Sequence, residues 1–482
     1  MTRVRQSLLL SAADNYLAVV LQLASTVIIS RLLTPAEVGV FAIAAVFAAL
    51  ASTFRDFGVA EYLIQARDVT TERIRAAFAL NIIVSWSMAV SLAGLSPLAA
   101  RFYAEPGVGH VMLVQAITFL IVPFGAITMA WFRRELNYRP IVICNALSNL
   151  TGFVVAVTLA FQGFGYMSLA WSALASIVVV VSATLWFRPA SLPRWPALRG
   201  IGEAFHFGKF TSAIYILNTL GRGAPELIIG RAQGAAAVGL FSRANGLLEM
   251  FNRLTMSPLM QVCLPYFAQQ GRQKGALAPA YTLSVSLLTA LGWPFLGCIA
   301  VMAFAAIRIV YGSQWLGAVP LAQVLCLAGA IDLLFLLARE ALLADGRARQ
   351  ASVMQFQFFA LKVAGLAAVV PFGLPGAAWG LAAAAACNAV LAARHLRALD
   401  VRAGAVARAC LPSALLTLIA VGPLAVAAWW LPPSEANYLR WALAGAGYAV
   451  LSWLAGLRLM RHRLWDELAA LARRALRRGG TA

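Results

Sequence analysis

The chain has 482 residues, is 62% hydrophobic and only 12% charged, and carries a formal net charge of +20. A soluble globular domain is about 45–50% apolar and about 25% charged, so this composition excludes an ordinary soluble protein and points to an all-α polytopic membrane protein. The excess of 38 Lys and Arg over 18 Asp and Glu lies between apolar runs, which argues for basic loops at a membrane surface and against nucleic acid as a partner.

Crossing a hydrocarbon core of ~30 Å takes about 20 apolar residues. Runs of that length recur along the whole chain. They predict fourteen transmembrane helices at 8–30, 37–63, 76–100, 109–131, 141–161, 164–187, 206–230, 236–266, 278–304, 318–338, 351–371, 375–393, 409–430 and 438–458. The first run follows Arg3 and Arg5 without a small-residue cleavage pattern, so it reads as a membrane helix and not a removable signal. Gly221, Gly223 and Pro225 are expected to interrupt the seventh helix, and Pro258 and Pro265 to end or kink the eighth.

Basic residues crowd alternate connections: Arg3 and Arg5, Arg73 and Arg75, Arg133 and Arg134, Arg188 and Arg194, Arg272 and Lys274, Arg347 and Arg349, Arg397 and Arg402, then an Arg-rich tail. The other connections carry only Arg31, Arg101, Arg231, Arg308 and Arg440. The positive-inside rule then places both termini in the cytoplasm. The tail from Arg461 to Arg478 puts Trp465, Leu468, Leu471 and Leu476 on one side. It reads either as an amphipathic helix on the anionic leaflet or as a solvated one.

Catalytic signals are missing. The six cysteines sit in or beside apolar segments with no CxxC pair, and His110, His206, His395 and His462 are scattered. These read as small buried hydrophobes and isolated imidazoles, not a metal site. No nucleotide-binding motif, nucleophile–base pair or phosphate-cradling Gly loop is present, so no cofactor is expected and an enzyme is disfavoured.

The chain repeats itself. Residues 28–44, IISRLLTPAEVGVFAIA, align without a gap on 228–244, IIGRAQGAAAVGLFSRA, pairing Ile28 with Ile228, Arg31 with Arg231, Val38 with Val238, Gly39 with Gly239 and Phe41 with Phe241. Arg134-Glu135 is echoed by Arg339-Glu340, and Phe164-Gly165 with Ala170-Trp171 by Phe372-Gly373 with Ala378-Trp379. Six helices per repeat preserve orientation, so the expected plan is an N-lobe at 1–200 and a parallel C-lobe at 201–400 with a site between them. An additional helix pair at 401–460 and a cytoplasmic tail at 461–482 follow.

Polar stripes mark that expected site. Helix one carries Ser11, Asn15, Gln22 and Thr26. Helix seven carries Thr211, Tyr215, Asn218, Arg222 and Glu226 at helical spacing, and helix eight adds Ser242, Arg243, Asn245, Glu249, Asn252 and Arg253. Asp14 and Lys362 also fall inside apolar runs. Charges within a bilayer are costly and usually face an interior site. The alternative is mutual neutralisation by ion pairs, Arg55 with Asp56, Arg222 with Glu226 and Glu249 with Arg253. Lys362 has no partner in its own helix and is read as a substrate contact or as snorkelling to the interface.

The stretches SRLLTPAEVGVFAIAAVFAAL, FRDFGVAEYLIQ, FRRELNYRP and IIGRAQGAAAVGLFSRANGL resemble the polysaccharide flippases, the Wzx-type O-antigen and exopolysaccharide translocases. These belong to the multidrug/oligosaccharidyl-lipid/polysaccharide exporter superfamily. The resemblance covers roughly residues 1–400 and implies two six-helix lobes in a V around a central cavity, with an undecaprenyl-diphosphate-linked oligosaccharide as substrate. A diphosphate moved through low dielectric needs compensating cations, and Arg222, Arg243, Arg253 and Lys362 are the candidates for that role. Asn15, Gln22, Tyr215, Asn218, Asn245 and Asn252 become sugar contacts, and Asp14, Glu226 and Glu249 ion-coupling candidates. The implied partners are membrane lipids and a polysaccharide polymerase with chain-length machinery, in a bacterial inner membrane. A drug/cation antiporter or lipid II flippase of the same superfamily is the alternative, ahead of a polyprenyl-linked glycan polymerase or transferase.

Overall fold

A computed structural model describes residues 2–55, 70–198, 201–256, 263, 265–270 and 277–466, with side chains other than those of 2–13, 203–215 and 254. The described residues are helical, with no strand among them. In chain order the helices are α1 Thr2–Leu32, α2 Pro35–Arg55, α3 Thr71–Tyr103, α4 Pro106–Ile121, α5 Pro123–Arg134, α6 Tyr138–Phe161, α7 Tyr166–Trp186, α8 Ile201–Gln233 and α9 Ala235–Phe251. There follow α10 Leu277–Val310, α11 Val319–Asp332, α12 Ala338–Ala344, α13 Ala348–Val369, α14 Gly373–Leu396, α15 Ala403–Trp430 and α16 Tyr438–Leu459.

Each of the fourteen expected spans overlaps one of these helices or a pair of them, while 56–63 of the second and 257–262 and 264 of the eighth lie outside the described residues. The fourth is α4 and α5, bent by 55° where Pro123 interrupts the backbone hydrogen bonding. Ten helices, or up to eleven with that bent pair, are long and apolar enough to cross a membrane among the described residues. The count falls below fourteen at three places, one of them α8, which is not among these helices and carries Arg222, Glu226 and Arg231. The helix α9 stops at 17 residues, where the chain enters a π-helical turn at Asn252–Met256. Residues Ala348–Leu399 form one apolar run, which a 3-10 turn at Val370–Phe372 divides into α13 and α14.

Helix starts follow local chemistry. At α2, Thr34 N–H and Oγ1 both donate to Glu37 Oε2 at 2.8 Å, and Glu37 N–H donates back to Thr34 Oγ1 at 3.3 Å. This is a capping box, with Pro35 in the first helical position, where its missing N–H costs nothing. At α3, the Thr70 side chain accepts from Arg73 N–H.

The chain packs as two compact units, Met1–Ser242 and Arg243–Ala482. In the first, α1 lies on α6, α2 on α8, α3 on α4 and α6 on α7. The helix α8 is continuous through Gly221, Gly223 and Pro225, so the expected interruption is absent. Gly223 serves close packing instead: a Cβ there would stand 2.3 Å from a Val46 methyl of α2. Thr53 and Thr219 hydroxyls meet at 2.9 Å along the same contact. In the second unit α10 is the central helix, packed against α11, α15 and α16. Thr289 Oγ1 donates to Ser413 Oγ at 3.0 Å and Trp453 Nε1 to Ala290 O at 2.9 Å, tying α15 and α16 to it.

The repeat motif has a structural counterpart within the first unit. A Cβ on Gly39 of α2 would stand 1.7 Å from Ala235 O, and a Cβ on Gly239 of α9 would stand 1.9 Å from Pro35 O. The two equivalent glycines therefore let the starts of α2 and α9 touch backbone to backbone. The glycines of the Phe164-Gly165 and Phe372-Gly373 echo share a conformation: Gly165 and Gly373 both adopt positive φ, +54° and +83°, beside the start of a helix.

Candidate functional site

Four large apolar side chains, Val90, Leu418, Trp430 and Leu443, are 72%, 66%, 77% and 71% exposed. A water-soluble protein does not expose such surface on this scale, whereas hydrocarbon solvates it. The protein is a multi-pass membrane protein, and polar side chains within its helices are the informative ones.

In the first unit, Asn145 Nδ2 on α6 donates to Asp14 Oδ2 on α1 at 2.9 Å. The other oxygen, Asp14 Oδ1, is buried and accepts no hydrogen bond. A half-satisfied buried carboxylate retains one oxygen able to take a proton or a cation. On α1, Asn15 and Gln22 are exposed. On α8, Asn218 and Arg222 are exposed and Glu226 is half-buried. The Tyr215, Ser11 and Thr211 side chains lie outside those described, as does Asp56. Arg222 forms no ion pair among the described residues, so the spacing-based pairing with Glu226 is absent. Arg55 places its guanidinium 5.7 Å from the Phe119 ring centroid.

In the second unit, Arg243 is not a free cation in a wet stripe. Its guanidinium sits 5.5 Å from the Tyr311 ring centroid and 5.2 Å from that of Trp315. Both aromatics are buried, and Arg243 Nε is buried without a hydrogen-bond partner. Asn245 and Glu249 are half-buried, while Asn252 and Arg253 are exposed in the π-helical turn. Glu249 forms no ion pair among the described residues, so its expected pairing with Arg253 is also absent. Lys362 on α13 is half-buried, and its charge interacts with Asp332 at the end of α11. Its counter-charge therefore comes from a different helix.

Sequence reasoning missed Asn145, Tyr311 and Trp315, and it counted Asp332 among the intramembrane acids without pairing it with Lys362. Nothing in the local sequence marks the first three. Asn145 does lie inside an apolar run, and a lone amide there is the one signal that was available. No group of three or more His, Cys, Asp or Glu able to hold a metal occurs among the described residues.

Comparison with known proteins places the chain. It is 27% identical over 307 residues to the teichuronic acid biosynthesis protein TuaB of Bacillus subtilis (strain 168), covering 61% of each chain. It is 26% identical over 310 residues to the succinoglycan biosynthesis transport protein ExoT of Rhizobium meliloti (strain 1021), covering 63% of this chain and 62% of that one. A third relative is the lipopolysaccharide biosynthesis protein WzxC of Escherichia coli (strain K12), 23% identical over 328 residues, 67% of this chain and 66% of that one. The matches thus span under two thirds of these relatives' length. The fold is that of the lipid II flippase MurJ in an inward closed conformation, with TM-score 0.73 and 10% identity over 94% of this chain and 100% of that one. An inward-facing multidrug resistance MATE family transporter matches with TM-score 0.61 and 16% identity, over 80% of this chain and 95% of that one. Residues 28–320 match the polysaccharide biosynthesis protein family as a whole, and the chain belongs to that family.

Proposed function

We propose that the protein carries an undecaprenyl-diphosphate-linked oligosaccharide across the bacterial inner membrane by alternating access, with both termini in the cytoplasm and no covalent step. Family membership and the transport and polysaccharide roles in the relatives' names support this reading, as does the fold shared with a lipid II flippase. The observation that carries it is Arg222, an exposed guanidinium on the long helix α8 with no ion pair among the described residues. A diphosphate entering low dielectric needs cations that are not already neutralised, and Arg binds phosphate oxygens in a bidentate fork. Arg253 and Lys362 are further cationic candidates that would have to exchange their present contacts for the diphosphate, with Asn15, Gln22, Tyr215, Asn218, Asn245 and Asn252 as donors and acceptors for sugar hydroxyls. Asp14 is the leading coupling group because one of its oxygens is partnered and the other is not. Glu226 and Glu249 are further candidates. A polymerase and chain-length machinery are the expected partners in the pathway.

The test is complementation. A strain lacking the gene is expected to lose surface polysaccharide and accumulate its lipid-linked precursor. The wild-type gene restores export, and Arg222→Ala does not, at equal protein abundance. Unchanged polysaccharide with heightened sensitivity to organic cations would favour a drug/cation antiporter. A block in peptidoglycan precursors would favour lipid II as substrate.

A further inference from the structure

Three arginines at one end of the first unit are gathered around a single loop residue. Arg75 Nε, from the second turn of α3, donates to Trp195 O at 3.1 Å. Arg188, just past the end of α7, donates through Nη2 to Pro193 O. The two accepting carbonyls belong to the residues on either side of Arg194, so both guanidiniums are tethered within one residue of a third. The loop is anchored and not merely draped there. Ala197 N–H donates to Arg75 O at 3.1 Å, and Leu192 is buried against Ile74, Phe78, Ile127 and Ala130.

None of the three forms an ion pair among the described residues. Glu72, on the same turn of α3, pairs with none of them. Arg188 lies over the Phe78 ring at 6.0 Å, and its Nε is buried without a hydrogen-bond partner. Burial, reinforced by the Arg194 charge, pushes the Arg188 guanidinium below its ordinary value. Like charges drawn together cost free energy unless an anion offsets them. Here the chain holds them in place through two backbone carbonyls. Beside the cluster, Trp186, Trp195 and Leu198 are 86%, 76% and 74% exposed. Exposed indole next to arginine is the composition of a membrane interface.

We propose that Arg75, Arg188 and Arg194 form a binding site for the phosphate of a lipid headgroup at the membrane surface, with Trp195 and Leu198 against the adjoining acyl region. The phosphate supplies the missing counter-charge, and the exposed apolar side chains favour a phosphate attached to a lipid over a free ion. The site is separate from the polar residues inside the helices and does not rest on the transport reading.

The test uses the full chain in neutral detergent, titrated with phosphatidylglycerol and, separately, with diacylglycerol, with bound lipid counted by native mass spectrometry. Phosphatidylglycerol is expected to be retained and diacylglycerol not. Arg194→Glu and the double variant Arg188→Ala with Arg194→Ala are expected to weaken retention about tenfold or more, as loss of charge-assisted phosphate contacts requires. Arg397→Ala with Arg408→Ala, which removes equal charge from the end of α14 and the start of α15, is expected to leave it unchanged. Because Arg194 is exposed, Arg194→Glu remains informative if the double variant folds poorly. Displacement of the lipid by inorganic pyrophosphate adds support for phosphate recognition. Equal retention by Arg194→Glu overturns the proposal, and so does an equal loss in the Arg397/Arg408 variant. Binding of pyrophosphate together with no retention of phosphatidylglycerol overturns the lipid assignment.

Discussion

Arg222 and Arg243 look alike in sequence, each an arginine inside a polar stripe, yet their surroundings separate them. Arg222 is exposed and forms no ion pair among the described residues, whereas Arg243 is wedged against two buried rings. Arg222→Ala is therefore expected to cut polysaccharide export at least about tenfold, the order that a lost charge-assisted phosphate contact gives, at near-normal abundance. Quantitative surface-glycan blotting against membrane protein level checks it. Arg243→Ala removes a cation–π contact in a desolvated site and should cost about 2 kcal/mol of stability. A lowered melting midpoint in detergent, partly restored in Arg243→Lys, is the expected result. Asp14→Asn removes the titratable oxygen and keeps a similar shape. If Asp14 couples an ion gradient, the variant exports without responding to dissipation of that gradient.

At the scale of elements, the contacts between helices are set by a few small residues. The crossing of α2 and α9 has no room for a methyl group, because the obstructing atoms at Gly39 and Gly239 are backbone carbonyls that cannot rotate away. Gly39→Ala or Gly239→Ala must displace one helix, at a cost of roughly 1–3 kcal/mol or more. Thermal unfolding in detergent is expected to report it, and Gly94→Ala, where a Cβ meets nothing within 4 Å, serves as the control. The end of α16 carries a titratable contact. His462 is 7% exposed, its Nδ1 accepts from Leu464 N–H at 3.2 Å, and burial followed by the Arg463 charge pushes its pKa down. The folded state thus favours neutral imidazole. Its stabilising contribution is full above the unfolded value of about 6.5 and is lost as pH falls through the lowered folded value. Hydrogen-exchange protection at Leu457–Trp465, taken relative to the intrinsic exchange rate at each pH, is expected to fall on acidification and to lose that change in His462→Phe.

For the molecule as a whole, the alternation of basic and neutral connections sets a topology that fusions can read. A fluorescent protein joined after Ala482 is expected to fold and fluoresce. Alkaline phosphatase inserted between Pro433 and Asn437, in the connection before α16, is expected to be active. The reverse pattern would invert the orientation and move the Arg75, Arg188 and Arg194 cluster to the other leaflet.

The membrane class, the helix positions, the internal repeat and the family were legible in the amino-acid order, because apolar length, loop charge and glycine placement are local properties that bilayer physics reads directly. The repeat even marked Gly39 and Gly239 before their backbone contact was visible. Partnership was not legible. Asp14 meets Asn145, Arg243 meets Tyr311 and Trp315, Lys362 meets Asp332, and Arg75 meets the carbonyl of Trp195. The pairings that helical spacing suggested, Arg222 with Glu226 and Glu249 with Arg253, did not form. Spacing along one helix says which side chains share a face, but long side chains choose their rotamers against neighbouring helices. Those neighbours are brought in by packing between segments far apart in the chain, which only the tertiary structure decides.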